Sequence, residues 1–293
     1  MNIPQEILDQ VAQLQLVARR SVSTLLSGDY RSAFHGSGMQ FKEFRRYEPG
    51  DDIRHMSWTV TARTKHPTIK LYEEDRELNV LILIDVSGSS LFGSVQKRKI
   101  DMYAELLALL GLAAVKSKDN VGMLFFNETP VLYLPPRDTQ NHVLHGMISL
   151  LQQPLQGRPS DLRPALLYAQ NVLKNRSIVI VLSDFLVPDF SPELRMLAQR
   201  HELVLLHCVD DAERGVGLKG VYEVCDPETG DFFLLDANSK SVRQELQQRA
   251  IMHQHQIEDL SRKCKSDYFC LSVQDDYLQR LVHFFRRRGP ARL

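Results

Sequence analysis

The order of apolar and polar residues predicts alternating strands and helices along most of the chain. A near-continuous apolar run such as 79–86 is typical of a strand that is covered on both faces. Strands are predicted at 79–86, 121–127, 130–136, 177–184, 203–209 and 268–273. Helical spacing of apolar residues predicts helices at 97–118, 139–152, 161–174 and 191–202. This alternation indicates an α/β fold with a doubly wound, mainly parallel sheet and helices on both faces.

The N-terminal part of the chain follows a different pattern. Residues 5–27 have helical spacing, and Gly28 is a helix-stop signal. From there to about residue 68 the chain is rich in Gly, Ser and charge, which predicts short strands and turns, and residues 69–75 alternate like an edge strand. We therefore expect an N-terminal helix and a small β-rich appendage over 1–76, followed by the main α/β domain over 77–293.

Two segments interrupt the alternation within the main domain. Apolar runs around a Pro-Glu-Thr-Gly turn predict a hairpin over 221–240, as an insertion near 210–240. A C-terminal helix over 241–264 follows and is polar on most faces. His253 and His255 are two positions apart on this helix, so they point in different directions and are expected on a solvated face.

Composition and charge exclude several functional classes. Lys+Arg and Asp+Glu each total 36, so the formal net charge is zero and favours neither nucleic acid nor membrane binding. The four cysteines fit no zinc-binding spacing. The N-terminus lacks the basic and apolar regions of a signal peptide. The apolar helical stretch 106–115 is shorter than the roughly 20 residues that span a bilayer. We expect a soluble, cytoplasmic protein without a transmembrane segment.

Oxygen-bearing side chains follow the predicted buried strands. Asp85, Ser87 and Ser89 come at the end of the first one, Asp184 ends another, and Ser160 precedes a helix. Ligands of open α/β sheets bind at the carboxyl ends of the strands, near the point where strand order reverses, so these side chains can converge there. Two carboxylates and three hydroxyls suit Mg²⁺ or Mn²⁺ better than Zn²⁺. The sequence thus offers a candidate metal site.

The same residues resemble a known motif. Asp85-x-Ser87-x-Ser89, with Ser160 and Asp184 on later segments, resembles the metal-ion-dependent adhesion site of von Willebrand factor A domains, whose fold is a Rossmann-like doubly wound sheet. That family usually has threonine at the position of Ser160, and serine keeps the hydroxyl. The resemblance implies that Ser87 and Ser89 are direct metal ligands. It implies that Asp85, Ser160 and Asp184 bind directly or through water.

The segment upstream resembles the bacterial domain-of-unknown-function 58 family. The matching positions are Gly28, Gly36, Phe41, Glu43, Arg45, Tyr47, Pro49, Gly50, Asp51, Asp52, Arg54, Trp58, Ala62, Arg63 and Glu74. Members of this family are usually found with MoxR-type AAA+ ATPases, and the pairs are proposed to act as chaperones in protein maturation. The resemblance therefore implies a non-enzymatic, Mg²⁺-dependent interaction module. Its partners would be such an ATPase and a client protein, and an acidic side chain of the partner would complete the metal shell.

Other interpretations of the same residues stay open at this point. A phosphoryl-transfer enzyme would use Asp85 with Mg²⁺, but dehalogenase-like phosphatases need an aspartate where this chain has Ser87. Response-regulator receivers need a lysine where the strand 203–209 is followed by Asp210 and Asp211. The serine-hydrolase elbow and both glycine-rich nucleotide-binding motifs are missing from the sequence. Residues 85–90 can also be only a polar turn. The charged segment 45–63 can be held by internal ion pairs, form a docking surface, or do both.

Overall fold

The computed structural model describes residues 4–28, 40–73, 78–94, 97–154, 159–225 and 230–288. Two positions of the upstream signature, Gly36 and Glu74, lie outside these residues. The described strands, numbered along the chain, are β1 (Gln40–Arg46), β2 (Thr68–Glu73), β3 (Asn79–Asp85), β4 (Asn120–Phe126), β5 (Pro130–Arg137), β6 (Ile178–Ser183), β7 (Glu202–Val209), β8 (Val221–Cys225), β9 (Phe232–Asp236) and β10 (Asp267–Ser272). The described α-helices are α1 (Gln5–Gly28), α2 (Trp58–Thr64), α3 (Lys99–Lys116), α4 (Gln140–Leu151), α5 (Leu162–Val172), α6 (Ser191–Ala198), α7 (Lys240–Lys263) and α8 (Tyr277–Arg288).

Six strands form the central sheet, in the order β10-β7-β6-β3-β4-β5. All neighbours are parallel except β4 and β5, which are antiparallel. The chain runs outward from β3 through β4 to β5, then returns to β6 on the other side of β3 and continues to β7 and β10. Strand order therefore reverses between β3 and β6, which confirms the predicted doubly wound α/β fold.

Both faces of the sheet are covered, which explains the near-continuous apolar strands. Alternate residues of β3 enter different cores: Ile82 and Ile84 belong to one buried cluster, and Leu81 and Leu83 belong to the other. The first cluster includes residues of α3 and α4 and also of α1, among them Val11. Helix α1 is thus packed on the main core, while the predicted division at residue 76 stays a prediction.

The N-terminal appendage contains a helix that was not predicted. Strands β1 and β2 pair in an antiparallel sheet of their own, but α2 lies where only short strands and turns were expected. The abundance of Gly, Ser and charge in this region predicted strands and turns, yet two threonine hydroxyls of α2 bond to the local backbone. The Thr64 hydroxyl donates to the Val60 carbonyl at 2.9 Å, and the Thr61 hydroxyl accepts from the Thr68 amide at 3.0 Å. The first of these bonds lies within the helix, and the second ties the helix to the start of β2.

The main domain also contains the predicted hairpin and a helix that ends earlier than predicted. Strands β8 and β9 form the predicted hairpin as a separate two-stranded sheet, and α7 follows it. Helix α6 ends at Ala198, four residues before its predicted end, because the Glu202 amide donates to the Ser177 carbonyl at 2.9 Å and begins β7. Among the helices that the structure describes, none has the length and apolar character needed to cross a membrane.

Candidate metal centre

The five predicted site residues lie on three segments at one edge of the sheet. Asp85 is the last residue of β3, and Asp184 directly follows β6. Ser87 and Ser89 lie in the turn after β3, and Ser160 lies shortly before α5. Because β3 and β6 are parallel neighbours, their carboxyl ends meet where strand order reverses.

Asp85 is at the centre of this group. Its side chain is completely buried, and both of its oxygens accept hydrogen bonds. Oδ1 accepts from the Ser87 amide at 3.0 Å, and Oδ2 accepts from the hydroxyls of Ser160 at 2.9 Å and Ser183 at 2.8 Å. A buried carboxylate needs such donors because it has lost its water.

The two turn serines connect Asp85 to Asp184. The oxygen of the Ser87 hydroxyl lies 3.1 Å from that of Ser89, the Ser87 hydroxyl is close enough to Asp85 to lower its pKa, and the Ser89 hydroxyl acts in the same way on Asp184. All five predicted residues thus belong to one connected network of polar side chains. That the network binds a metal ion stays a prediction.

A buried lysine next to Asp184 was missed from the sequence. The Lys99 side chain is completely buried, and its ammonium donates to Asp184 Oδ2 and to Glu213 Oε1, each at 2.7 Å. The second oxygen of Glu213 accepts from the Asp210 amide at 3.0 Å. The run of Lys97, Arg98 and Lys99 was visible in the sequence, but only the helix phase decides that the third of them points inward.

The charges in this network shift one another's pKa values. Burial and the nearby charge of Asp184 raise the pKa of Asp85 to about 6. Burial alone would raise the pKa of Asp184 too, but the Lys99 ammonium overrides it and lowers this pKa to about 2. Burial likewise opposes the charge of Lys99, and the two carboxylates still hold the pKa of Lys99 above its usual value. Lys99 and Asp184 are therefore a charged pair, and Asp85 is the carboxylate without a cation.

The donor set fits a hard divalent cation. The described residues include no group of three or more His, Cys, Asp or Glu side chains that could hold a metal, so hydroxyl oxygens and water must contribute. Burial raises the pKa of Glu213 as well as that of Asp85. When all groups are ionised, the carboxylates of Asp85, Asp184 and Glu213 exceed the single ammonium of Lys99 by two formal negative charges. Oxygen ligands with an excess of two negative charges suit Mg²⁺ or Mn²⁺ and do not suit Zn²⁺.

Aromatic and histidine side chains pack behind Asp184. His253 of α7 lies with Nε2 3.0 Å from the Asp184 carbonyl oxygen, and its ring packs edge-on against His207. The expectation of a solvated face was therefore wrong for His253, because α7 packs over this end of the sheet. His255 is 70% exposed in its side chain, as expected.

The upstream signature segment contains ion pairs. Arg45 contacts Glu48 at 2.9 Å and Asp51 at 2.8 Å, and Arg54 contacts Asp52 at 2.8 Å. Trp58 of the same segment is 68% exposed. The internal ion pairs that were one interpretation of this segment are present, and a docking surface there stays a prediction.

The fold and this network define the class of protein: a doubly wound α/β protein with an oxygen-rich centre at the switch point of its sheet. A family model described as "Protein of unknown function DUF58" matches residues 43–256, which is more than half of the chain. The chain belongs to this family, and the resemblance of the upstream segment to it is confirmed.

Curated relatives match almost the whole chain. Uncharacterized protein Mb1516 of Mycobacterium bovis and uncharacterized protein Rv1480 of Mycobacterium tuberculosis are each 30% identical to it over 291 residues. Each match covers 94% of this chain and 88% of the relative. Their names assign no function.

Solved structures with a similar chain trace include the conserved hypothetical protein BatB and a VWA domain. BatB from Bacteroides thetaiotaomicron is 14% identical with a TM-score of 0.47 and covers 72% of this chain and 98% of its own. The SpRpn10 VWA domain is 12% identical with a TM-score of 0.41 and covers 74% of this chain and 100% of its own. At these scores the likeness adds nothing to the family assignment, which rests on the sequence matches.

Proposed function

We propose that this protein is a non-enzymatic interaction module that binds Mg²⁺ or Mn²⁺ at the carboxyl ends of β3 and β6. The observation that carries the proposal is the single network that joins Asp85, Ser87, Ser89, Ser160 and Asp184. These residues come from three separate segments, and they surround a net negative charge that the protein itself leaves uncompensated.

The residues of the network would have different roles in binding the ion. The hydroxyl oxygens of Ser87 and Ser89 face each other at 3.1 Å and retain lone pairs for a cation. Asp85 would supply the main opposite charge, while Ser160 and Ser183 orient its carboxylate. When bound, the ion would offer an open coordination position to an acidic side chain of a partner protein.

The proposed partner is a MoxR-type AAA+ ATPase, and the pair would act in the chaperone-like maturation or assembly of a client protein. Membership of the DUF58 family and the resemblance described above support this part. The chain has no phosphate-binding loop, so ATP hydrolysis would belong to the partner.

A phosphoryl-transfer role for Asp85 is less well supported by the geometry. An aspartate nucleophile must present an oxygen to the phosphorus atom. Asp85 is completely buried, and both oxygens accept hydrogen bonds from protein groups. This arrangement disfavours direct attack on phosphorus, whereas the charge of Asp85 would still attract a cation that it holds directly or through water.

Calorimetric titration of Mg²⁺ and Mn²⁺ tests the metal site. Wild type is expected to bind one ion, and Asp85→Ala is expected to lose binding because the central carboxylate is gone. Asp189→Ala is the matched control, since Asp189 is an exposed carboxylate in the loop after β6 that lies outside the network. Equal binding by wild type and Asp85→Ala would refute the site.

Copurification with the ATPase tests the partnership. The complex is expected in Mg²⁺ and is expected to dissociate in EDTA or with Asp184→Ala. Recovery of the same complex in EDTA would show that the partner binds without the metal. That result would refute the metal-dependent mechanism but would leave the ATPase as the partner.

A further inference from the structure

Lys99 is the one buried cation that contacts the candidate metal centre among the described residues. Its ammonium lies 2.7 Å from Asp184 Oδ2 and 2.7 Å from Glu213 Oε1, and the side chain has no exposed surface. A lysine that loses all contact with water is stable in the charged form only if acceptors of opposite charge replace that water. Lys99 has two such acceptors.

The ion pair with Lys99 occupies one oxygen of the Asp184 carboxylate. Oδ2 accepts from the ammonium, and Oδ1 accepts from the Leu186 amide at 3.1 Å. Asp184 is therefore already bonded on both oxygens, and it reaches the rest of the network through the Ser89 hydroxyl. Of the two aspartates, only Asp85 has no cationic partner within the network.

Lys99 and Glu213 each change the charge of the centre by one unit. With all groups ionised, three carboxylates and one ammonium give a formal net charge of −2; without Lys99 it would be −3, and without Glu213 it would be −1. The attraction of a divalent ion scales with this net charge at short range. A change of one unit should therefore alter the affinity for the ion measurably and in a predictable direction.

We propose that Lys99 is the counter-cation of the centre and sets its affinity for divalent metal by cancelling one of its three carboxylates. The proposal rests on the proposed function, because it assumes that the centre binds a divalent ion. A centre that is weakened in this way gains more from one additional carboxylate, which is what a partner protein would supply. Lys99 would thus act on metal affinity as a positioning and charge-setting residue that does not itself touch the ion.

The test is calorimetric titration of Mn²⁺ into four forms of the full chain. Lys99→Met is expected to bind Mn²⁺ about tenfold more tightly than wild type, and Glu213→Gln about tenfold more weakly. The double variant Lys99→Met/Glu213→Gln has the net charge of wild type, so its affinity is expected to return to within about threefold of the wild-type value. A role of Lys99 in structure alone would not produce this restoration.

Lys97→Met is the matched control. It removes one positive charge two residues earlier in the chain, where Lys97 pairs with Glu105, a carboxylate that is not one of the three of the centre, so the Mn²⁺ affinity is expected to stay at the wild-type value. If Lys99→Met does not fold, Glu213→Gln still tests whether the charge of the centre sets the Mn²⁺ affinity. Its amide oxygen keeps an acceptor for Lys99, and Asp184 keeps its ion pair.

Three results would overturn the proposal. Wild-type affinity in either single variant would show that the charge does not act on the ion. A double variant that retains the affinity of Lys99→Met would show that Lys99 acts only by holding Asp184 in place. Absence of Mn²⁺ binding by wild type would overturn the proposed function as well, whereas the first two results leave the proposed function intact.

Discussion

At the scale of single residues, burial decides which polar groups can be charged. Asp184 is ionised beside Lys99, whereas His207 on the neighbouring strand β7 is buried and forms no ion pair with any residue that the structure describes. The His207 Nδ1 atom lies 2.7 Å from the Tyr268 hydroxyl, and its ring packs edge-on against Phe185. Burial and the charge of His253 lower the pKa of His207 to about 3. His207 is therefore neutral at any physiological pH.

This shift predicts an acid-sensitive contribution to stability. The folded-state pKa of His207 is below its unfolded value, so its contribution is present above the unfolded value of about 6.5 and is lost as the pH falls. Between pH 6.5 and pH 4 this loss should amount to roughly 3 kcal/mol. His207→Phe cannot take up the proton, so its free energy of unfolding should fall less steeply over this range in urea denaturation.

His255→Gln provides the comparison for that measurement. Its side chain is 70% exposed, so this variant should reproduce the wild-type pH profile. Parallel pH profiles of wild type and His207→Phe would show that His207 gains its proton without unfolding, which would contradict the prediction.

At the scale of elements, the close contact between α3 and α4 depends on a glycine, Gly111. Gly111 is buried in α3, and a Cβ atom there would lie 2.9 Å from Val143 Cγ1 and 3.2 Å from Val143 Cγ2. Val143 of α4 is completely buried and, being β-branched, has little rotamer freedom with which to move aside. The two helices approach closely because one of them has a glycine at the contact.

Gly111→Ala should therefore destabilise the protein although alanine is the better helix former. Overpacking lowers the free energy of unfolding by about 1–3 kcal/mol, and the higher helix propensity of alanine offsets about 1 kcal/mol of this loss. Val143→Ala removes both clashing methyl groups, so the double variant should be more stable than the sum of the single changes by about 1–2 kcal/mol. A double-mutant cycle by chemical denaturation measures this coupling, and strictly additive effects would rule out the clash.

At the scale of the whole molecule, the sheet connects the candidate centre to both hydrophobic cores. Asp85 ends a strand whose residues alternate between the two buried clusters, and Asp184 follows a strand that is also fully buried. The loops that hold the centre are thus continuous with the interior. An ion that binds there should stabilise the folded chain as a whole, because the unfolded chain does not bring these residues together.

Thermal unfolding should show this linkage. Mg²⁺ at about 100 times its dissociation constant should add roughly 2.7 kcal/mol of stability, which corresponds to a rise in Tm of several degrees for a chain of this size. Asp184→Asn should show a smaller rise, because one negative charge of the network is removed. Samples in NaCl of matched ionic strength separate ion binding from screening. An equal rise of Tm in NaCl and MgCl₂ would argue against a specific site.

Much of the architecture was predictable because its signals are local. Apolar runs such as that of β3 report a strand covered on both faces wherever the strand lies in the sheet, and turn residues mark its ends. Errors occurred where tertiary contacts override local preference. Helix α2 is tied to the start of β2 by the Thr61 hydroxyl, and α6 ends early because the Glu202 amide bonds to Ser177.

For the candidate centre, the sequence by itself determined which oxygen-bearing residues stand at strand ends, because their positions follow from spacing alone. The tertiary structure decided what surrounds them. Ser183 reaches Asp85 across 98 positions of the chain, and Lys99 reaches Asp184 across 85. These contacts exist because β6 returns beside β3 and α3 begins over the same edge. Lys97, Arg98 and Lys99 are three consecutive basic residues that the sequence alone does not distinguish. Only the packing of the helix decides that Lys99 is the one buried beside Asp184.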